Sequence, residues 1–90
     1  MLTEKGAKVS LDVARERVRQ DVKHLQKDFP YNCADPHAPE EYKLAVLGEE
    51  VGEVSRAILA AKYGQPDEVN LREELIQVAA VACAWAEALT

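Results

Sequence analysis

Leu44-Ala45-Val46-Leu47-Gly48-Glu49-Glu50-Val51-Gly52-Glu53-Val54 is the stretch on which the fold reading turns. Its apolar positions Leu44, Leu47, Val51 and Val54 continue at Ile58 and Ala61, steps of three and four that belong to one face of a bundle helix. A half-buried strand would alternate instead. Gly48 and Gly52 lower helix propensity, and are expected to leave room for close approach by a neighbouring helix or a ligand. Glu50 and Glu53 fall on neighbouring parts of one face beside the Val51 stripe, whereas Glu49 points farther round.

Working outward, Pro39 suits a first helical turn, where its missing N–H costs little, and Glu40 and Glu41 suit the positive end of the same helix. Gly64 and Pro66 close it, so the spacing predicts a helix over 39–63. Asn70 is a natural cap for the next helix, with Glu73 three residues on as in a capping box. The series Leu71, Leu75, Val78, Ala82, Trp85 and Leu89 predicts a helix over 70–89, with Glu74 and Gln77 repeating the three-residue spacing. Upstream, Leu11, Ala14, Val18, Val22, Leu25 and Phe29 predict a helix over 10–29, capped by Ser10 and ended by Pro30. Between Pro30 and Pro39 the residues Asn32, Asp35 and Pro36 oppose any regular ladder.

The reading is therefore all-α, with residues 1–90 as a single helical domain. A composition that is 48% hydrophobic with only four Gly and four Pro favours packing over disorder. Ile76, Ala79, Ala80, Val81, Cys83, Ala84 and Ala86 make the third helix apolar around much of its circumference. Three short helices surround such an element poorly, which predicts a bundle completed by homo-oligomerisation, as a homodimer or homotetramer.

A net charge of −5 disfavours binding a nucleic-acid backbone. A small anionic substrate would need a cation to bridge it to so acidic a chain. Cys33 and Cys83 stand far apart with no CxxC, which predicts a loop thiol and a small core residue. The run Val78 to Ala86 is too short to span a bilayer, and no signal-like apolar run opens the sequence; no membrane role and a cytoplasmic location are expected.

Antiparallel packing of the second and third helices would bring Glu50 and Glu53 towards Glu74 and Gln77, an oxygen-rich set suited to Mg2+ or Mn2+ with phosphate and water completing the shell. Glu50-x-x-Glu53, then Glu74-x-x-Gln77 on the following helix, resembles the paired acidic motif of the MazG-like all-α nucleoside triphosphate pyrophosphatases, particularly short phage- or cassette-like members. The resemblance runs from about Tyr42 to Glu87 and includes Leu-Gly-Glu-Glu-Val-Gly-Glu-Val and Arg-Glu-Glu-Leu-Ile-Gln-Val. It implies a hydrolase, a nucleotide pyrophosphohydrolase that converts an NTP or dNTP to the monophosphate and pyrophosphate. By that resemblance Glu50, Glu53 and Glu74 are metal ligands and catalytic carboxylates, and Gln77 joins them where the family has Asp. A neutral amide can coordinate through oxygen but is a poor general base.

Each of these residues also has a bland reading. Glu50, Glu53 and Glu74 would serve as the acidic surface of an amphipathic bundle, Glu49 as a solvated charge and Glu73 as a cap. Arg15, Arg19, Lys23, Lys27, Arg56, Lys62 and Arg72 are reserve phosphate contacts. His37 is a reserve base or phosphate contact and Tyr31, Tyr42 and Tyr63 reserve base-stacking surfaces, whereas His24 marks the polar side of the first helix and Trp85 is an intersubunit anchor. The rival functions are a noncatalytic helical dimerisation or regulatory module and a nucleotide binder without turnover. No phosphate loop, Glu-x-x-His di-iron pattern or nucleophile triad is legible.

Overall fold

A computed structural model describes residues 3–27, 31–64 and 70–90 of the chain. It is all-α: α1 (Glu4–Lys27), α2 (Glu40–Lys62) and α3 (Leu71–Ala88), with no strand among the described residues. No helix among them is long and apolar enough to cross a membrane.

The first helix starts at Glu4, not at Ser10. Thr3 supplies the cap, its hydroxyl oxygen accepting the Gly6 N–H at 3.0 Å while its carbonyl accepts the Ala7 N–H at 2.8 Å. Glu4 then sits in the positive first turn, and Ala7 and Lys8 carry the helix through Ser10. The expected stop at Phe29 and Pro30 lies outside the described residues. Pro39 occupies the N-cap of α2 and not its first turn, with extended backbone whose carbonyl accepts the Tyr42 and Lys43 N–H groups. At the other end the Tyr63 N–H closes on the Leu59 carbonyl at 2.9 Å, and Gly64 turns the chain out with φ +70, a conformation that favours glycine. Pro66 lies outside the described residues.

Asn70 caps α3 as expected, its side-chain oxygen accepting the N–H groups of Arg72 at 2.9 Å and Glu73 at 3.3 Å. An Asn70→Ala variant should lose about 1 kcal/mol of stability, read from urea or thermal unfolding. An unchanged midpoint would show that the cap carries no weight.

α3 is the middle element. α2 runs antiparallel to it: the Trp85 indole N–H donates to the Glu40 carboxylate at 2.6 Å where α2 begins, and farther along α2 Glu50 lies close enough to Glu74 to feel its charge. α1 packs on α3's other flank, tied by Arg72 to Asp12 at 2.9 Å and by Arg17 to Glu87 at 3.0 Å. Among the described residues α1 and α2 do not pack against each other. The radius of gyration, 14.2 Å, exceeds the roughly 12 Å of a compact chain of this length, as expected when two outer helices stand apart.

The core is small and built of small residues: Ala38, Ala57, Ile76, Ala80, Val81 and Ala84. Several positions expected to face inward face out of the single chain instead. Leu44, Val51, Ile58 and Ala61 on α2 are exposed, while Leu47 and Val54 are half-buried. On α1 Leu11, Val18, Val22 and Leu25 are exposed, and on α3 so are Leu71, Leu75, Ala82 and Leu89. The cause is the side on which α3 docks. It meets the α2 face carrying Lys43, Glu50 and Ala57, where alanines on both helices permit close packing, and the Leu44/Val51/Ile58 face is left over. Gly48 and Gly52 lie on that outer side, and a Cβ added at either would meet nothing within 4 Å, so neither serves a close approach within the chain. Cys83, expected in the core, is exposed.

Candidate active site

Between α1 and α2, which flank α3 on opposite sides, a cleft of about 270 Å³ opens. Helical spacing builds each wall. Arg17, Gln20, Lys23 and His24 project from α1, and Tyr42, Val46, Glu49 and Glu50 from α2. Gln77, Val81 and Ala84 form the floor on α3, and the connector closes one end with Tyr31, Asn32 and Cys33. Tyr31 and Tyr42 meet edge to face with ring centroids 5.2 Å apart. Asn32 is fixed from both sides, donating to Asp21 at 3.0 Å and accepting the Ala34 N–H at 2.9 Å.

Glu50 is the electrostatic focus. Burial pushes its carboxyl above the ordinary 4.5, and the neighbouring Glu74, Glu16 and Glu53 push the same way against the pull of Lys23. Glu50 Oε2 and Glu74 Oε2 are both buried with no hydrogen-bond partner among the described residues. Two orphaned carboxylate oxygens on facing helices are hard donors of the type Mg2+ or Mn2+ takes, and a cation would relieve their mutual repulsion. The donor chemistry therefore fits such an ion. The full ligand set is not drawn together: among the described residues no three His, Cys, Asp or Glu side chains converge at metal-binding spacing. Glu53 is turned to Arg56 at 3.2 Å, and Glu16 is held bidentate by Arg19 at 2.8 and 2.6 Å.

The residues singled out from sequence thus divide. Glu50 and Gln77 line the cleft and Glu74 lies beside Glu50, while Glu53 is near enough to feel but is paired with Arg56. Glu49 stands on the exposed rim. His37 is an exposed turn residue whose backbone N–H donates to Asp35, and it lines neither cleft described here. Tyr63 is exposed beside Lys62.

Sequence spacing did not single out Glu16, which joins the acidic group from α1, because nothing local reports that α1 crosses α3 at this level. It also passed over Lys43, which is fully buried with no acceptor for its Nζ among the described residues. A signal existed: Lys43, Glu50 and Ala57 repeat every seven residues, the line on α2 that meets α3.

A second, more open cleft of about 530 Å³ lies between α1 and α3. Asp12, Arg15 and Glu16 line it from α1, and Arg72, Glu73 and Ile76 from α3. Arg19 and Gln77 border both clefts.

The chain matches no family profile, no curated protein and no solved structure.

Proposed function

We propose that this chain is a MazG-like nucleoside triphosphate pyrophosphohydrolase, converting an NTP or dNTP to the monophosphate and pyrophosphate. The observation that carries the reading is the pair of buried oxygens of Glu50 and Glu74, without a hydrogen-bond partner among the described residues, beside an open cleft of about 270 Å³. Glu50, Glu74 and Glu53 would hold Mg2+ or Mn2+, with the Gln77 amide oxygen or a bridging water completing the set; Glu53 must first release Arg56. The ion, when bound, neutralises phosphate charge and makes water a better nucleophile.

The chain's own groups have separable tasks. Tyr31 and Tyr42 supply aromatic surface for a base at the connector end, while Arg17, Lys23 and His24 place positive charge along the α1 wall. Water oxygen bonds to the α-phosphorus, the bond to the bridging oxygen breaks, and pyrophosphate leaves with the electron pair. A carboxylate of the Glu50, Glu53 and Glu74 group accepts the proton of the attacking water. Gln77 holds no negative charge, so it positions and does not act as base.

The same reading makes the protein a cytoplasmic homodimer or homotetramer. It is supported by the outward apolar faces of α2 and α3 and by two free thiols suited to a reducing compartment. Gln77 and the engagement of Glu53 by Arg56 favour one second reading, a nucleotide-binding module without turnover.

Product-resolved hydrolysis of a panel of dNTPs and NTPs with Mg2+ or Mn2+ should give monophosphate and pyrophosphate in equal amounts, abolished by chelation. Inorganic phosphate as the product, or specific nucleotide binding with no cleavage, would remove the pyrophosphohydrolase reading.

A further inference from the structure

Besides Glu74, two carboxylates act on Glu50, and each is held by an arginine three residues farther along its own helix: Glu16 by Arg19 on α1 and Glu53 by Arg56 on α2. The two pairs face solvent differently. The side chains of Glu53 and Arg56 are both well exposed, at 46% and 58%. Glu16 is only 11% exposed against 55% for Arg19, so the carboxylate is the inner partner and the guanidinium the outer one.

Arg19 donates to both Glu16 oxygens, at 2.8 and 2.6 Å, and Gln20 adds a donor at 3.2 Å. An ion pair with so exposed an arginine is weak, and the long side chain can move into water at small cost. The carboxylate has no such freedom. Without Arg19 it would stand as a nearly covered anion beside Glu50, whose Oε2 is buried like that of Glu74 and has no hydrogen-bond partner among the described residues. The charges in reach do not balance, since Glu16, Glu50, Glu53 and Glu74 face only Arg19, Lys23 and Arg56. Each helix contributes one carboxylate to this covered group, Glu16 from α1, Glu50 from α2 and Glu74 from α3. Yet α1 and α2 do not pack against each other among the described residues.

We infer that Glu16 is a further ligand of the proposed Mg2+ or Mn2+, contributed by α1 and held out of the set by Arg19 in the metal-free chain. This rests on the proposed metal site for the ion, and on the exposure and bonding of the Glu16–Arg19 pair for the residue. Arg19 is the placeholder. It occupies both Glu16 oxygens, in keeping with the lack of three carboxylates at metal-binding spacing among the described residues. A divalent ion offers the same oxygens twice the charge, and Arg19 turns outward as it binds. An ion shared by three helices then supplies the tie between α1 and α2 that packing does not.

The test is metal binding to the full chain by calorimetry, without nucleotide, for wild type, Arg19→Gln, Glu16→Gln and Glu16→Cys, with circular dichroism confirming the fold of each. Arg19→Gln should tighten Mg2+ about threefold, because the ion no longer competes with the guanidinium. Glu16→Gln should weaken it about tenfold. Glu16→Cys separates ligation from charge, since a thiolate favours Zn2+ where a carboxylate favours Mg2+. It should weaken Mg2+ as Glu16→Gln does, yet tighten Zn2+ about tenfold over wild type, with Cys33 and Cys83 common to both. A role through charge alone would weaken both metals in Glu16→Cys, and that result overturns the assignment. So would weaker Mg2+ binding in Arg19→Gln, unshifted binding in the Glu16 variants, or no Mg2+ or Mn2+ binding to wild type. Hydrolysis is scored apart. Opposite metal shifts with no nucleotide cleaved would keep Glu16 in the ligand set and remove the hydrolase, whereas cleavage with unshifted metal binding would do the reverse.

Discussion

A Glu50→Gln variant should melt a few degrees above wild type at neutral pH in the absence of divalent metal, while losing metal-dependent turnover by on the order of 100-fold or more. Both effects have one origin. Burial and the charges of Glu74, Glu16 and Glu53 raise the Glu50 carboxyl above its ordinary 4.5, so the folded chain holds that proton more tightly than the unfolded chain. Stability therefore falls as pH rises from 4.5 through the raised folded value, and the penalty is complete above it. Glutamine cannot ionise and escapes the penalty. The gain from the substitution should shrink towards zero as pH drops below the ordinary carboxylate range. Adding Mg2+ should stabilise wild type and leave Glu50→Gln nearly unmoved, since the variant has lost an anionic donor. Thermal melts across acidic to neutral pH, with and without metal, read all of this. A variant less stable than wild type at neutral pH would show that Glu50 is not strained by its neighbours, and unchanged turnover would take it out of the site.

On the proposed homo-oligomer, Val51→Arg and Leu75→Arg should each shift association to monomer. These side chains are 49% and 50% exposed in the single chain, on the faces of α2 and α3 that no other part of the described chain covers. Leu44 and Ile58 extend the first face, and Leu71 and Leu89 the second. Burying a large aliphatic side chain is worth about 1.5–3 kcal/mol, so a face of several such residues is a strong drive to association. An arginine at its centre would leave an unpaired charge in a desolvated contact and weaken dimerisation by roughly 100-fold. Sedimentation of wild type and variants over a concentration series gives the answer directly. Wild type sedimenting as a monomer at every concentration would sink the proposal, as would variants that associate like wild type. The exposed Val18 and Leu25 on α1 form a separate patch, suited to a second contact in a tetramer.

Helix ends proved legible where the signal is local. Gly64 and Asn70 punctuate the chain through their own backbone or side-chain bonding, and they do so here. The start of α1 was misplaced because Thr3 and Ser10 both present a capping hydroxyl before apolar residues, and nothing local says which is used. Which face is inside was the larger miss. A period of three and four shows that Leu44, Val51 and Ile58 share a face, but says nothing about whether that face meets the same chain or remains outside it. The closeness of Glu50 to Glu74 followed from an antiparallel pairing of adjacent helices, the simplest geometry for a short connector. Glu16 and the Arg72–Asp12 tie were invisible because each depends on how α1 is set against α3, a distance of many residues along the chain.

The chain has one tryptophan, and its indole N–H is held at 2.6 Å by the carboxylate that opens α2. Its ultraviolet emission is therefore a built-in gauge of the clasp between α2 and α3. Lifting α2 away would strip the indole of its acceptor and admit solvent, altering colour and intensity, whereas swinging α1 aside would leave that signal nearly untouched. The molecule thus carries a label-free optical reporter that distinguishes the two ways the cleft between its outer helices can widen.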